Sequence, residues 1–135
     1  MGGSVKMAIR ILCVDDEQSI RDLVSMHLVL QGFEVKTAAN GEEAIGLLEE
    51  EPFDLILLDI QMPKMDGTEV LRYIRIRRMD VRPIMLTGAD DIQALDECAK
   101  WGAFDYLPKP YNFHELMDSI ERAMAGALCL SEANS

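Results

Sequence analysis

Five short runs of aliphatic and β-branched residues punctuate this chain at positions 9–14, 35–38, 55–58, 83–87 and 104–107, and each has the length of a strand. Between them apolar residues recur at helical spacing. Ile20, Leu23, Val24 and Leu28 share one face of a first helix that Gly32 closes. A second opens at Asn40-Gly41, carries Ala44, Ile45, Leu47 and Leu48 inward, and stops at Pro52. The pattern predicts a third helix over 68–78, a fourth over 91–101 with Gly102 as its stop, and a fifth over 112–128. Strand and helix therefore alternate five times. Parallel strands need crossover connections, and these are right-handed, so the alternation predicts a three-layer α/β fold with a parallel five-stranded sheet and helices on both faces. The first and third runs are almost continuously apolar, which places them at the sheet centre.

The length of 135 residues suits one domain, expected over 8–128. Residues 1–7, beginning Met1-Gly2-Gly3-Ser4, read as an extension or cloning remnant, and residues 129–135 as a polar tail. Thirteen Lys and Arg stand against 24 Asp and Glu, a formal charge of −11, which repels nucleic-acid backbones and anionic lipid. Direct nucleic-acid binding is not expected. Cys13, Cys98 and Cys129 are widely spaced in apolar stretches with no C-x-x-C pair, as reduced, packed thiols would be. No apolar run reaches membrane-spanning length and no signal segment opens the chain, so a cytoplasmic protein without membrane contact is expected.

Polar residues concentrate where the strands end. Asp15, Asp16 and Glu17 follow the first strand, Asp59 the third, Thr87 closes the fourth and Lys109 follows the fifth, so the topology gathers them at one sheet edge. Carboxylates about 4 Å apart repel by about 4 kcal/mol per pair at an effective dielectric near 20, which a cation would relieve. With oxygen donors only, Mg²⁺ suits the cluster. Asp16 alone also reads as a helix cap. Asp59 does not, since it ends an apolar strand and precedes the turn Gln61-Met62-Pro63; it reads as a carboxylate nucleophile able to form an acyl phosphate.

These residues resemble the receiver domains of two-component response regulators over roughly residues 10–127. The resemblance rests on Val14-Asp15-Asp16-Glu17, on Leu57-Leu58-Asp59-Ile60-Gln61-Met62-Pro63 with Met65-Asp66-Gly67, on Thr87-Gly88, and on Asp105-Tyr106-Leu107-Pro108-Lys109-Pro110. It implies a flavodoxin-like (βα)5 fold with strand order 2-1-3-4-5. It further implies that Asp59 is the phosphoacceptor, that Mg²⁺ (Mn²⁺ as a substitute) binds Asp16, Asp59 and the Gln61 carbonyl with Asp15 acting largely through water, and that Lys109 and Thr87 contact the phosphoryl group. Tyr106 resembles an aromatic switch coupled to Thr87, and a cis Lys109-Pro110 bond is implied. The implied partners are a histidine kinase or phosphotransfer protein, and an effector or second copy at the face of the fourth helix, fifth strand and fifth helix. Such a chain catalyses its own phosphorylation and dephosphorylation without being a free-standing enzyme.

Plainer readings stand beside these. Thr87 and Tyr106 also suit a strand by β-propensity and half-buried packing. His27 falls on the apolar helix face as a packed or edge histidine, His114 is expected exposed, and Trp101 is expected to cover the core more than to anchor a partner. Arg72, Arg75, Arg77 and Arg78 read as a solvated face. Ala89, two residues after Thr87, cannot orient a water, which leaves Gln61 to govern the lifetime of a phosphorylated form. Two rival functions remain: an interaction module that is never phosphorylated, and an aspartate-nucleophile phosphatase. The latter usually has an acid two residues past the nucleophile, where this chain has Gln61, which cannot protonate a leaving group.

Overall fold

Each apolar run forms a parallel strand, and each helical pattern crosses over to the next one. The computed structural model describes residues 8–88 and 90–133, with side chains to residue 125; the expected N-terminal extension, Ala89 and the last two residues of the expected tail lie outside these. In order the elements are β1 (Arg10–Val14), α1 (Gln18–Leu30), β2 (Glu34–Ala38), α2 (Gly41–Glu50), β3 (Leu55–Asp59), α3 (Gly67–Ile76), β4 (Arg82–Thr87), α4 (Ile92–Lys100), β5 (Asp105–Pro108) and α5 (Phe113–Ala133). The sheet runs β2-β1-β3-β4-β5 with every pair parallel, the expected α/β order.

Alternating side chains of the inner strands feed two separate cores. Leu12, Val14, Ile56, Leu58 and Met85 point toward α2, α3 and α4, where Ala44, Leu71, Ile74 and Cys98 meet them. Ile11, Cys13, Leu57, Ile84 and Leu86 point the other way, against Val24 and Leu28 of α1 and Leu116, Ile120 and Ala123 of α5. All five residues of central β3 are buried, whereas edge strand β2 exposes Glu34, Lys36 and Thr37. Burial of each large aliphatic side chain contributes roughly 1.5–3 kcal/mol, so the two cores hold the sheet rigid. Register then aligns the strand ends: Val14 lies beside Leu58, Asp59 beside Leu86, and Thr87 beside Pro108.

Local chemistry closes the helices. Asp66 and Glu69 form a reciprocal capping box at α3, Asn112 and Glu115 exchange the same pair of hydrogen bonds at α5, and the Asn40 side chain accepts from the Glu43 amide at α2. Three helices end in one motif, in which the residue after the cap turns left-handed and two amides bond back to the last turn. In α1 and α4 that residue is Gly32 (φ 97°) and Gly102 (φ 81°), the expected stops. In α3 it is Arg78 (φ 54°), whose amide reaches the Arg75 carbonyl while the Met79 amide reaches that of Ile74. The expected end of the third helix at residue 78 is thus corrected to Ile76, because an arginine occupies the position where the pattern looks for glycine. Helix α5 continues past residue 128 to Ala133; residues 129–133 contain no proline or glycine to stop it.

Other expectations resolve by packing. Cys13 and Cys98 are buried free thiols, and burial pushes the Cys13 thiol up to about 12. His27 packs at 4.6 Å against the Phe113 ring, His114 is exposed, and Trp101 is half-buried against the core. Arg72 and Arg77 are not free, pairing with Glu97 of α4 and Glu49 of α2. No helix among the described residues is long and apolar enough to cross a membrane.

A left-handed arginine costs roughly 1–2 kcal/mol relative to glycine in the folded state, partly offset by the greater freedom of glycine when unfolded. Arg78→Gly is therefore expected to stabilise the protein by about 0.5–1 kcal/mol, read as a higher urea midpoint with an unchanged slope. A lower midpoint would contradict the conformation assigned to Arg78.

Candidate functional site

Four loops at the carboxyl ends of β1, β3, β4 and β5 converge on a cavity of about 220 Å³ bordered by Asp16, Glu17, Asp59, Gln61, Gly88 and Lys109. The loop after β3 approaches very closely there. A Cβ added at Gly67, the first residue of α3, would lie 2.3 Å from the Asp59 carbonyl oxygen, so the α3 terminus can seat beneath Asp59 only as glycine. The Gly67 amide donates to the Ile60 carbonyl at 2.8 Å and ties the loop down.

Asp59 is 3% exposed at the end of the most buried strand. Burial raises its carboxyl from 3.8 to about 6; Lys109 opposes the shift and Asp15 reinforces it. The Lys109 ammonium stands 3.2 Å from Asp59 Oδ1 and 3.6 Å from Asp15 Oδ2. Its own burial works against its charge, but Asp59 and Asp15 outweigh that, and the amine is raised. One cation therefore serves two buried carboxylates.

Asp15 is fully buried. Its Oδ1 accepts from the Glu17 amide at 2.9 Å, its carbonyl accepts from Arg21, and its Oδ2 makes no hydrogen bond. Carboxylate oxygens of Asp15, Asp16 and Glu17 lie within 4.8 Å of one another. Asp16 is exposed, and the cap position of α1 belongs to Glu17, whose side chain makes no capping bond, so the plain helix-cap reading of Asp16 fails. An orphaned buried carboxylate oxygen, an all-oxygen donor set and a deficit of positive charge fit a hard divalent cation such as Mg²⁺.

Thr87 ends β4, is 5% exposed, and accepts the Lys109 amide on its carbonyl at 2.7 Å. The Lys109–Pro110 peptide is cis. Tyr106 lies apart from the cavity. It packs against the core that contains Cys98, with its hydroxyl buried and without a hydrogen-bond partner. One functional-looking residue escaped the sequence reading: Asp91, 3% exposed, whose Oδ2 accepts from the Gly88 amide at 2.5 Å while its own amide reaches the Gly88 carbonyl at 3.2 Å. It had read as a helix start, and its place three residues after Gly88 was the available signal. The Ala89 reading falls outside the described residues.

The response regulator receiver domain model matches residues 11–121. The chain is 38% identical over 115 residues to the regulatory protein AtoC of Escherichia coli, covering 85% of this chain and 25% of AtoC. It is 37% identical over 111 residues to the response regulator MprA of Mycolicibacterium vanbaalenii, covering 82% of this chain and 48% of MprA. It thus spans between a quarter and a half of the length of these relatives. The solved chemotaxis protein CheY4 of Vibrio cholerae superposes with a TM-score of 0.81 at 34% identity, covering 87% of this chain and 99% of that one. A match over most of the sequence, joined to the strand order and to acidic residues gathered at the sheet's carboxyl edge, means that the chain belongs to the response regulator receiver domains, signalling modules of two-component systems.

Proposed function

We propose that this domain is a phosphorylation switch in which Asp59 accepts a phosphoryl group. The observation that carries the reading is Asp59 itself, a carboxylate buried at the end of the central strand beside a single lysine and a second buried carboxylate, Asp15, one oxygen of which makes no hydrogen bond. An Asp59 oxygen attacks the phosphorus of a phosphohistidine on a kinase or phosphotransfer protein. The P–N bond breaks, its electron pair returns to the imidazole, and an acyl phosphate forms. Lys109 pairs with the phosphoryl oxygens, and the Thr87 hydroxyl donates to them after its loop shifts. Asp16, Asp59 and the Gln61 carbonyl would hold Mg²⁺, with Asp15 acting through water. The ion, when bound, neutralises charge on the transferring group.

Hydrolysis resets the switch: water attacks phosphorus, the P–O bond to Asp59 breaks, and the carboxylate returns. Readout follows from charge. A phosphoryl group adds about −1.5 to −2 charge and three acceptors beside Thr87 and Lys109. Movement of Thr87 changes the space open to Tyr106, whose partnerless hydroxyl already disfavours its buried position. The face of α4, β5 and α5 would present the change to an effector or a second copy. The phosphatase reading is weaker, because the site offers Gln61 where such an enzyme places its acid. A purely structural interaction module would have little reason to keep Asp59 and Asp15 buried with one shared lysine.

Incubation with acetyl phosphate and Mg²⁺ followed by intact-mass measurement is expected to show one phosphoryl adduct, absent in Asp59→Asn and absent with chelator. Failure of the wild type to gain the adduct would overturn the proposal, and continuous turnover of phosphoesters would favour the phosphatase.

Stability supplies an independent check. Because the folded protein holds the Asp59 proton up to about pH 6 while the unfolded chain releases it near 3.8, the folded state binds more protons in that window and stability falls as pH rises through it. Without metal, Asp59→Asn is expected to be more stable than wild type by about 1–3 kcal/mol at pH 7.5. The gain should vanish below about pH 4 and shrink in saturating Mg²⁺, as urea titrations at each condition would read.

A further inference from the structure

Besides Asp15 and Asp59, one more buried carboxylate lies at this end of the sheet: Asp91, 3% exposed, at the start of α4 and on the border of the Asp59 cavity. It does not cap its helix. Asn40 and Asp66, which open α2 and α3, have extended backbones (ψ 175° and 173°), and their side chains accept the amide three residues on. Asp91 has ψ 12° and makes no side-chain bond to α4; its Oδ2 turns back to accept from the Gly88 amide at 2.5 Å. The cation on the cavity border, Lys109, is taken by Asp59 at 3.2 Å and Asp15 at 3.6 Å, so among the described residues Asp91 has no ion pair. A buried charge with neither a cation nor a helix end depends on that one short bond.

The donor it occupies belongs to the site. Gly88 directly follows Thr87 and borders the same cavity as Asp59 and Lys109. A phosphoryl group on Asp59 would bring three acceptor oxygens into that space, and a backbone N–H held by one anion is not free for another.

We propose that Asp91 is a built-in competitor of the phosphoryl group: its carboxylate occupies the Gly88 amide while Asp59 is unmodified and releases it when Asp59 is phosphorylated. The inference rests on Asp59 as the phosphoacceptor. Asp91 acts through Gly88 and touches no reacting atom, so it is a positioning residue. Once released, its carboxylate is free to cap α4, and the first turn of that helix registers the event.

The test titrates beryllium fluoride with Mg²⁺ into the ¹⁵N-labelled full chain, because BeF₃⁻ bonds to a carboxylate oxygen with the tetrahedral shape of a phosphoryl group. In the wild type the Gly88 amide proton is expected far downfield when free and to move upfield on saturation, while that of Ala94 moves downfield as Asp91 caps α4. Asp91→Asn keeps the shape and the capacity to cap but is a weaker acceptor. It is expected to start with Gly88 already upfield and to bind BeF₃⁻ about tenfold more tightly. Asp90→Asn, which removes an exposed charge from the same border, is expected to tighten binding less than about twofold. The proposal alone is overturned if the wild type binds but Asp91→Asn binds no more tightly, if Asp90→Asn tightens binding as much, or if the Gly88 and Ala94 amides stay in place on saturation. Wild-type binding no different from that of Asp59→Asn would overturn the phosphoacceptor reading, and this inference with it.

Discussion

The burial of the Asp59 carboxylate at the end of β3, shared by a single lysine with the equally buried Asp15, is the constraint around which the rest of the molecule is arranged. A carboxylate in such a place disfavours its own ionisation, and a second carboxylate nearby adds to the penalty. A free surface would relieve it by letting in water. Here the sheet does not yield, because β3 is covered on both faces and its neighbours β1 and β4 are almost as buried. The two cores supply the rigidity that keeps the charges together.

The closeness of the loops follows from the same arrangement. Gly67 brings the start of α3 against the Asp59 backbone, the reciprocal Gly88 and Asp91 bonds close the turn after β4, and Lys109 is tethered to Thr87 through the backbone. Each device fixes a short segment whose neighbours are charged. Tyr106 is the counterpart on the other side. Its hydroxyl is buried without a partner, a local deficit in an otherwise well-packed core.

The opposite end of the sheet has its own electrostatic character. Salt bridges tie Arg10 to Glu34 and Glu51, Arg72 to Glu97, and Arg77 to Glu49, linking neighbouring elements. Arg75 instead lies over Gly102 at the end of α4, and Arg82 donates to the Ala123 carbonyl of α5.

Much of this was legible along the chain. The alternation of apolar runs and helical faces determined the α/β class, since period-two and period-3.6 patterns bury different faces, and the Asn40, Gly32 and Gly102 signals marked helix limits because caps and left-handed turns act locally. The strand order came with the receiver resemblance, and the grouping of Asp15, Asp59, Thr87 and Lys109 followed from strand ends alone. Where local chemistry departed from rule the reading slipped: Arg78 occupies a glycine's position, and α3 ends two residues early. Only the tertiary structure decided that Lys109 stands between Asp15 and Asp59 and that the Tyr106 hydroxyl has no partner. These are relations between residues far apart in sequence, set by side-chain packing and burial across different elements, and no local periodicity encodes them.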